Sequence, residues 1–224
     1  MSRVLPILFN GDMVRAILDG RKTATRRLIK PQPKFRLCYT FAGCNYGTWS
    51  YPSDTAHEFW GEEYRIPDCI TNEDKQIVWK PPYNADDILY VREAWSELSF
   101  GYVYKADGEN IDHLGNVIRW HPSIHMPKEA ARIWLKVKDV RVERLREITE
   151  EQARAEGAKQ SYEQINTIEN RPVTYLAEDG KGYYVLGFKN IWNSTIKKSD
   201  LDRYGWDANP YVWVIEFERC EKPE

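Results

Sequence analysis

The sequence has no unbroken apolar run approaching the about 20 residues that a membrane-spanning helix needs, so a helical membrane protein is excluded. It also has no excess of positive charge. Its 32 basic and 34 acidic side chains leave a net charge of -2, which excludes holding nucleic acid by bulk electrostatics. Cysteine is scarce, and Cys38, Cys44, Cys69 and Cys220 include no pair at the close spacing of a zinc site. Cys38, Cys44, His57 and Cys69 could in principle hold zinc tetrahedrally, but reduced thiols are the expected state. Phosphate-binding loops, dinucleotide fingerprints, His-Glu-x-x-His pairs and EF-hand loops are all missing, so neither a nucleotide cofactor nor an obligatory metal is expected. His113, His121 and His125 are isolated as well. With no secretory leader in view, a reducing cytoplasm is the expected location.

Aromatic residues are plentiful, with 9 Trp and 14 Tyr in 224 residues. Such side chains fill cores and also line sites that stack flat ligands. Although the whole chain is balanced in charge, Arg15, Arg21, Lys22, Arg26, Arg27, Lys30 and Lys34 fall within one segment where Asp19 is the only acid. Just before the densest part, Asn10 can cap a helix that runs to about Asp19, with Met13, Val14, Ile17 and Leu18 as its apolar stripe and Gly20 as its stop. The run Arg21 to Arg27 then reads either as a solvated face or as a binding loop held by the end of a rigid element.

Strands are expected at Ile88–Arg92, around Tyr102–Lys105, at Arg132–Val142 and at Tyr211–Glu218. In the third of these, Ile133, Leu135 and Val137 share one parity while Val140 and Val142 share the other. One face cannot hold both sets without an extra residue, which predicts a β-bulge near Lys138–Asp139. Thr149 and Gln152 have capping-box spacing for a short helix closed by Gly157, and Phe188 to Ile196 carries helical spacing. Residues 35–84 read as a loop-rich insertion into a single domain of α+β, mainly β, class.

Gly20-Arg21-Lys22-Thr23-Ala24-Thr25-Arg26-Arg27 resembles the defining motif of the ASCH family. Asp86 to Trp95, Met126 to Gly157 and Asn209 to Phe217 resemble further blocks in family order, the middle one in the form common in phage and prophage members. The resemblance implies a PUA-like fold, a curved or closed β-barrel with short helices, and RNA or a modified nucleoside as partner. Some small members are amidohydrolases that deacylate N4-acetylcytidine with a Lys, a Thr and a Glu. Matching that pattern places the Lys on Lys22 and the nucleophile on Thr25. The Glu falls on Glu156, seven positions after the helix-opening Thr149.

A threonine hydroxyl attacks a carbonyl only when a base removes its proton. Lys22 or Glu156 could serve, the latter at a helix end whose dipole disfavours a lone carboxylate. Arg21, Arg26, Arg27 and Trp95 are the expected substrate contacts. In a plain strand Lys22 and Thr25 point to opposite faces, so their convergence requires a break between them. Three activities fit these expectations: hydrolysis of an N4-acylated cytidine, cleavage of RNA, and binding of RNA without chemistry.

Overall fold

A computed structural model describes residues 2–30, 32, 49–50, 78–79, 81–108, 110–166, 171–176 and 182–223. Most of the 35–84 insertion, together with Cys38, Cys44, His57 and Cys69, lies outside them. Among the described residues no group of His, Cys, Asp or Glu is placed to hold a metal, and no helix is long and apolar enough to cross a membrane.

The first strand, β1 (Val4–Leu8), leads into α1 (Gly11–Leu18) and then β2 (Ala24–Leu28). The Asn10 side chain accepts from the Met13 amide, as its capping role requires, and Gly20 follows the helix with φ +73°. Two short strands, β3 (Trp49–Ser50) and β4 (Val78–Trp79), pair with each other. The chain continues through β5 (Ile88–Arg92), the hairpin β6 (Trp95–Leu98) and β7 (Gly101–Tyr104), and the long β8 (Trp134–Arg144). After α2 (Glu150–Ala155) come the hairpin β9 (Ser161–Asn166) and β10 (Arg171–Leu176), α3 (Tyr184–Thr195) and α4 (Leu201–Tyr204). The final strand is β11 (Tyr211–Cys220).

Five strands form one mixed sheet in the order β1-β5-β8-β11-β2. Only β1 and β5 are parallel, so the sheet is no doubly wound α/β array. The expected strands at 88–92, 132–142 and 211–218 do share this sheet. Closure of the sheet is not found: among the described residues no ladder joins the edge strands β1 and β2. A side chain spans the gap instead, where Arg27 Nη2 donates to the Leu8 carbonyl at 2.8 Å.

The sheet separates two sets of packed side chains. On its inner face Ile7, Val14, Ile17, Leu89, Val91, Leu135, Val137, Ile215 and Phe217 form the main core around α1. On the outer face Val212 and Val214 pack with Ile148, Ala153, Phe188 and Trp192 beneath α2 and α3. A third cluster, around Tyr90, Met126 and Trp134, takes in Trp95 and Tyr104 from the β6–β7 hairpin.

The bulge expected from parity is present. Glu216 pairs with Asp139 while the next residue, Phe217, pairs with Val137, leaving Lys138 as the extra residue on β8. That slip lets Leu135 and Val137 before it, and Val140 and Val142 after it, all face the same core.

The turn before β5 is fastened by Asp87, whose carboxylate accepts from Arg3 and from the Asn84 amide. Burial alone would lift this carboxyl, but those bonds outweigh it and hold it below the usual range. A depressed native value gives stability that is present above the unfolded value of about 3.9 and is lost as pH falls through the native one. Asp87→Asn should therefore flatten the acid limb of stability below about pH 4 in urea titrations. An acid limb as steep as that of the wild type would show that Asp87 contributes nothing to it.

Candidate functional site

The basic run after α1 divides: Arg21 is exposed and Arg27 half-buried, while Lys22 and Arg26 are buried. The Arg21 and Lys22 amides both donate to the Ala16 carbonyl at 2.9 Å, which folds the chain back over the helix end. Lys22 then forms an isolated antiparallel bridge with Glu156, and the Thr23 amide donates to the Ala155 carbonyl at 2.8 Å. Only at Ala24 does regular pairing with β11 begin. This interruption of the ladder lies between Lys22 and Thr25.

Lys22 is fully enclosed, with 0% of its side chain exposed. Its Nζ donates to Glu156 Oε2 at 2.8 Å, to the Glu156 carbonyl at 2.8 Å and to the Ala24 carbonyl at 2.7 Å. Three donors meet three acceptors, so the ammonium is saturated. Burial pushes Lys22 below its ordinary range; Glu156 opposes this, while Arg27 and Arg26 add to the depression. The Ala24 carbonyl belongs to the peptide that leads into Thr25, so the Lys22 nitrogen sits against the backbone of the expected nucleophile.

Glu156 caps the C-terminal end of α2, and the capping box of Thr149 and Gln152 opens that helix as its spacing indicated. The unfavourable dipole at this end is offset by two cations. Besides Lys22, Arg26 Nη1 reaches Glu156 Oε1 at 3.3 Å. Gly157 completes the turn with φ +83°, and a Cβ there would lie 2.8 Å from the Ala16 Cβ and 3.2 Å from the Lys22 Cβ. The turn thus needs glycine for its backbone conformation and for the close approach of α1.

On β2 the side chains alternate. Thr25 lies opposite Ile215 in register and shares a face with Arg27, whose guanidinium stands 5.3 Å from the inner-face Phe9 ring. Arg26 faces the other way, 5.8 Å from the Phe188 ring beneath α3. Phe9 also lies 5.5 Å from Lys22 Nζ, so the inner face beside Thr25 carries Phe9, Lys22 and Arg27. Tyr83, half-buried, donates to the Pro6 carbonyl at 2.9 Å and stands close enough to Arg27 to interact with it electrostatically. Burial pushes Arg27 down and the Tyr83 phenol up, and each opposes the other's shift.

Lys22 and Glu156 are brought together as expected. The expectation of an open cleft is corrected: Lys22, Thr25 and Glu156 are only 2%, 2% and 5% exposed. Thr25 is covered because it lies on the face of the sheet that packs on the main core, opposite Ile215, while Arg27 and Tyr83 keep partial exposure beside it. Three of the four expected substrate contacts have other neighbours, Arg26 being buried against Glu143, Gln152 and Glu156. Arg21 is exposed and pairs with Asp19 at 2.8 Å, and Trp95, at the border of the third cluster, packs against Tyr102 and His121. Glu143 and Gln152, which sequence reasoning did not connect to the site, both accept from Arg26. The capping box was a signal for Gln152, but no local signal marked Glu143.

No family model, curated protein or solved structure matches the chain.

Proposed function

We propose that this chain is a PUA-like member of the ASCH family that recognises an acylated nucleoside at Lys22, Thr25 and Glu156 and hydrolyses N4-acylated cytidine. The observation that supports this reading is the 2.8 Å contact between Lys22 Nζ and Glu156 Oε2, two residues 134 positions apart. The motif resemblance places these same two residues, with Thr25, in one catalytic set. A further support is the shared face of Thr25 and Arg27, which sets a hydroxyl beside a cation that keeps partial exposure.

In this reading Thr25, enclosed in the resting chain, is reached only when the Arg27 contact to the Leu8 carbonyl opens between the edges of β1 and β2, beside Tyr83. Lys22, once deprotonated to its amine form and turned away from one of its three acceptors, takes the Thr25 proton while the hydroxyl oxygen attacks the acyl carbon. The depressed titration of Lys22 favours that amine form. The bond from acyl carbon to N4 then breaks, and the proton passes to N4, which leaves as the amino group of cytidine. Arg27 stabilises the oxyanion of the tetrahedral intermediate. Water hydrolyses the threonyl ester and releases the carboxylic acid. Glu156 keeps Lys22 in place through these steps.

Thr25→Ala and the isosteric Thr25→Val are expected to lower kcat/KM for N4-acetylcytidine at least about 100-fold. Activity unchanged in both variants would remove Thr25 from the mechanism. If wild-type protein bound RNA without acting on it or on acylated nucleosides, the binding reading would replace hydrolysis; strand cleavage would favour the nuclease.

A further inference from the structure

Arg26 comes immediately after the expected nucleophile and, as a cation, reads as a substrate contact in the sequence. Its surroundings give it different work. The side chain is 0% exposed and lies on the opposite face of β2 from Thr25 and Arg27. A substrate held at Thr25 therefore meets Arg27 and not Arg26.

The two terminal nitrogens of Arg26 meet three acceptors of this chain, while its buried Nε has no hydrogen-bond partner among the described residues. Nη1 meets Glu156 Oε1 at 3.3 Å, and Nη2 meets Glu143 Oε2 at 2.9 Å and Gln152 Oε1 at 3.0 Å. Because Lys22 occupies Glu156 Oε2, the carboxylate is gripped from both sides. The terminal torsion of a glutamate is otherwise broad, and one free oxygen would let the group swing. Lys22 would then keep its two backbone acceptors and lose, among the described residues, its one carboxylate partner.

The acceptors are themselves fixed. Gln152 Oε1 also takes the Thr149 amide at 3.0 Å, which ties Arg26 to the first turn of the helix that Glu156 ends. Glu143 Oε1 takes Arg141 Nε at 2.6 Å, and Arg141 is anchored in turn by Asp139 at 2.9 Å and Glu216 at 2.6 Å. A chain of alternating charge thus runs across the outer face of the sheet and ends on the Glu156 carboxylate.

We propose that Arg26 is a positioning residue, which sets the orientation of the Glu156 carboxylate and through it the place of the Lys22 nitrogen beside Thr25. Its catalytic consequence rests on the reading of Thr25 as nucleophile; its structural consequence does not. Lysine cannot substitute at this position, because a point cation cannot reach acceptors on two helix positions and a strand at once, as a planar fork does.

Arg26→Lys keeps the charge and removes the fork, so two readouts separate the possibilities. The first is the titration midpoint of Lys22, followed by NMR of its Cε and Nζ nuclei. With the charge conserved and Glu156 released, Lys22 loses its counter-ion, and the midpoint should fall by about one pH unit. The second is steady-state kinetics on N4-acetylcytidine, where kcat should fall about 10–100-fold with little change in KM. A raised KM with kcat unchanged would make Arg26 a substrate contact and overturn the proposal. An unmoved Lys22 midpoint would overturn it too, whether or not any substrate is turned over. If Arg26→Lys does not fold, Gln152→Met carries the test by removing one acceptor that holds Arg26. It should lower the Lys22 midpoint by a smaller amount, and no shift there would contradict the proposal. A wild-type protein that deacylates nothing would refute the hydrolase reading, and the Lys22 midpoints would still decide the role of Arg26.

Discussion

Glu156→Ala is expected to cost about 3–5 kcal/mol of folding stability, the penalty of leaving a buried charge without its partner. The size follows from enclosure. Lys22 and Arg26 both have 0% of their side chains exposed, so neither can recover its lost carboxylate partner by turning into water. Arg26 keeps Glu143 and Gln152, whereas Lys22 keeps only the carbonyls of Ala24 and residue 156. Lys22 should therefore carry most of the penalty. For a chain of this length the melting temperature should fall by about 6–20 °C. The double variant Lys22→Met, Glu156→Met should be less destabilised than the two single changes added together, because it removes the unpaired charge along with its partner. A loss below about 1 kcal/mol in Glu156→Ala would place the pair in effective contact with solvent.

Gly157→Ala should cost about 2–4 kcal/mol, from a left-handed backbone and an overpacked contact acting together. Gly20 provides an internal control. It too has positive φ, at +73°, but nothing lies within 4 Å of where its Cβ would be. Gly20→Ala should therefore pay the conformational part alone, about 1–2 kcal/mol. At Gly157 the added carbon meets the Ala16 Cβ at 2.8 Å, so α1 or the 156–157 turn has to move. Either movement displaces the Glu156 carbonyl and carboxylate that hold Lys22, so activity should fall along with stability. Equal losses in chemical denaturation of the two variants would show that the α1 contact imposes no steric cost.

Local elements were legible in the sequence because their determinants are local. Asn10 and Gly20 bound α1, Thr149 and Gln152 open α2, and the parity change between Val137 and Val140 reveals the β8 bulge. The pairing of Lys22 with Glu156 came from the motif resemblance, since no periodicity links residues so far apart. The enclosure of Arg26 was not legible. A cation in a basic run reads as surface, and its partners Glu143 and Glu156 lie 117 and 130 residues away. The β9–β10 hairpin was also missed, for its Tyr-Glu-Gln-Ile alternation is weak and its Tyr162–Tyr175 stacking, at 5.6 Å between centroids, appears only once the strands pair. The burial of Thr25 escaped notice for a similar reason: whether a β2 side chain faces solvent or core depends on β11 beside it, not on the motif itself.

Release of free cytidine from N4-acetylcytidine by the purified wild-type chain decides between chemistry and a merely structural ion cluster at Lys22, Thr25 and Glu156. Cytidine should accumulate catalytically, in many equivalents per protein, and Thr25→Val should abolish the release while leaving the melting temperature close to that of the wild type. Wild-type protein that is folded, with its Lys22–Glu156 pair intact, and yet releases no cytidine would contradict the hydrolytic role assigned to these three residues.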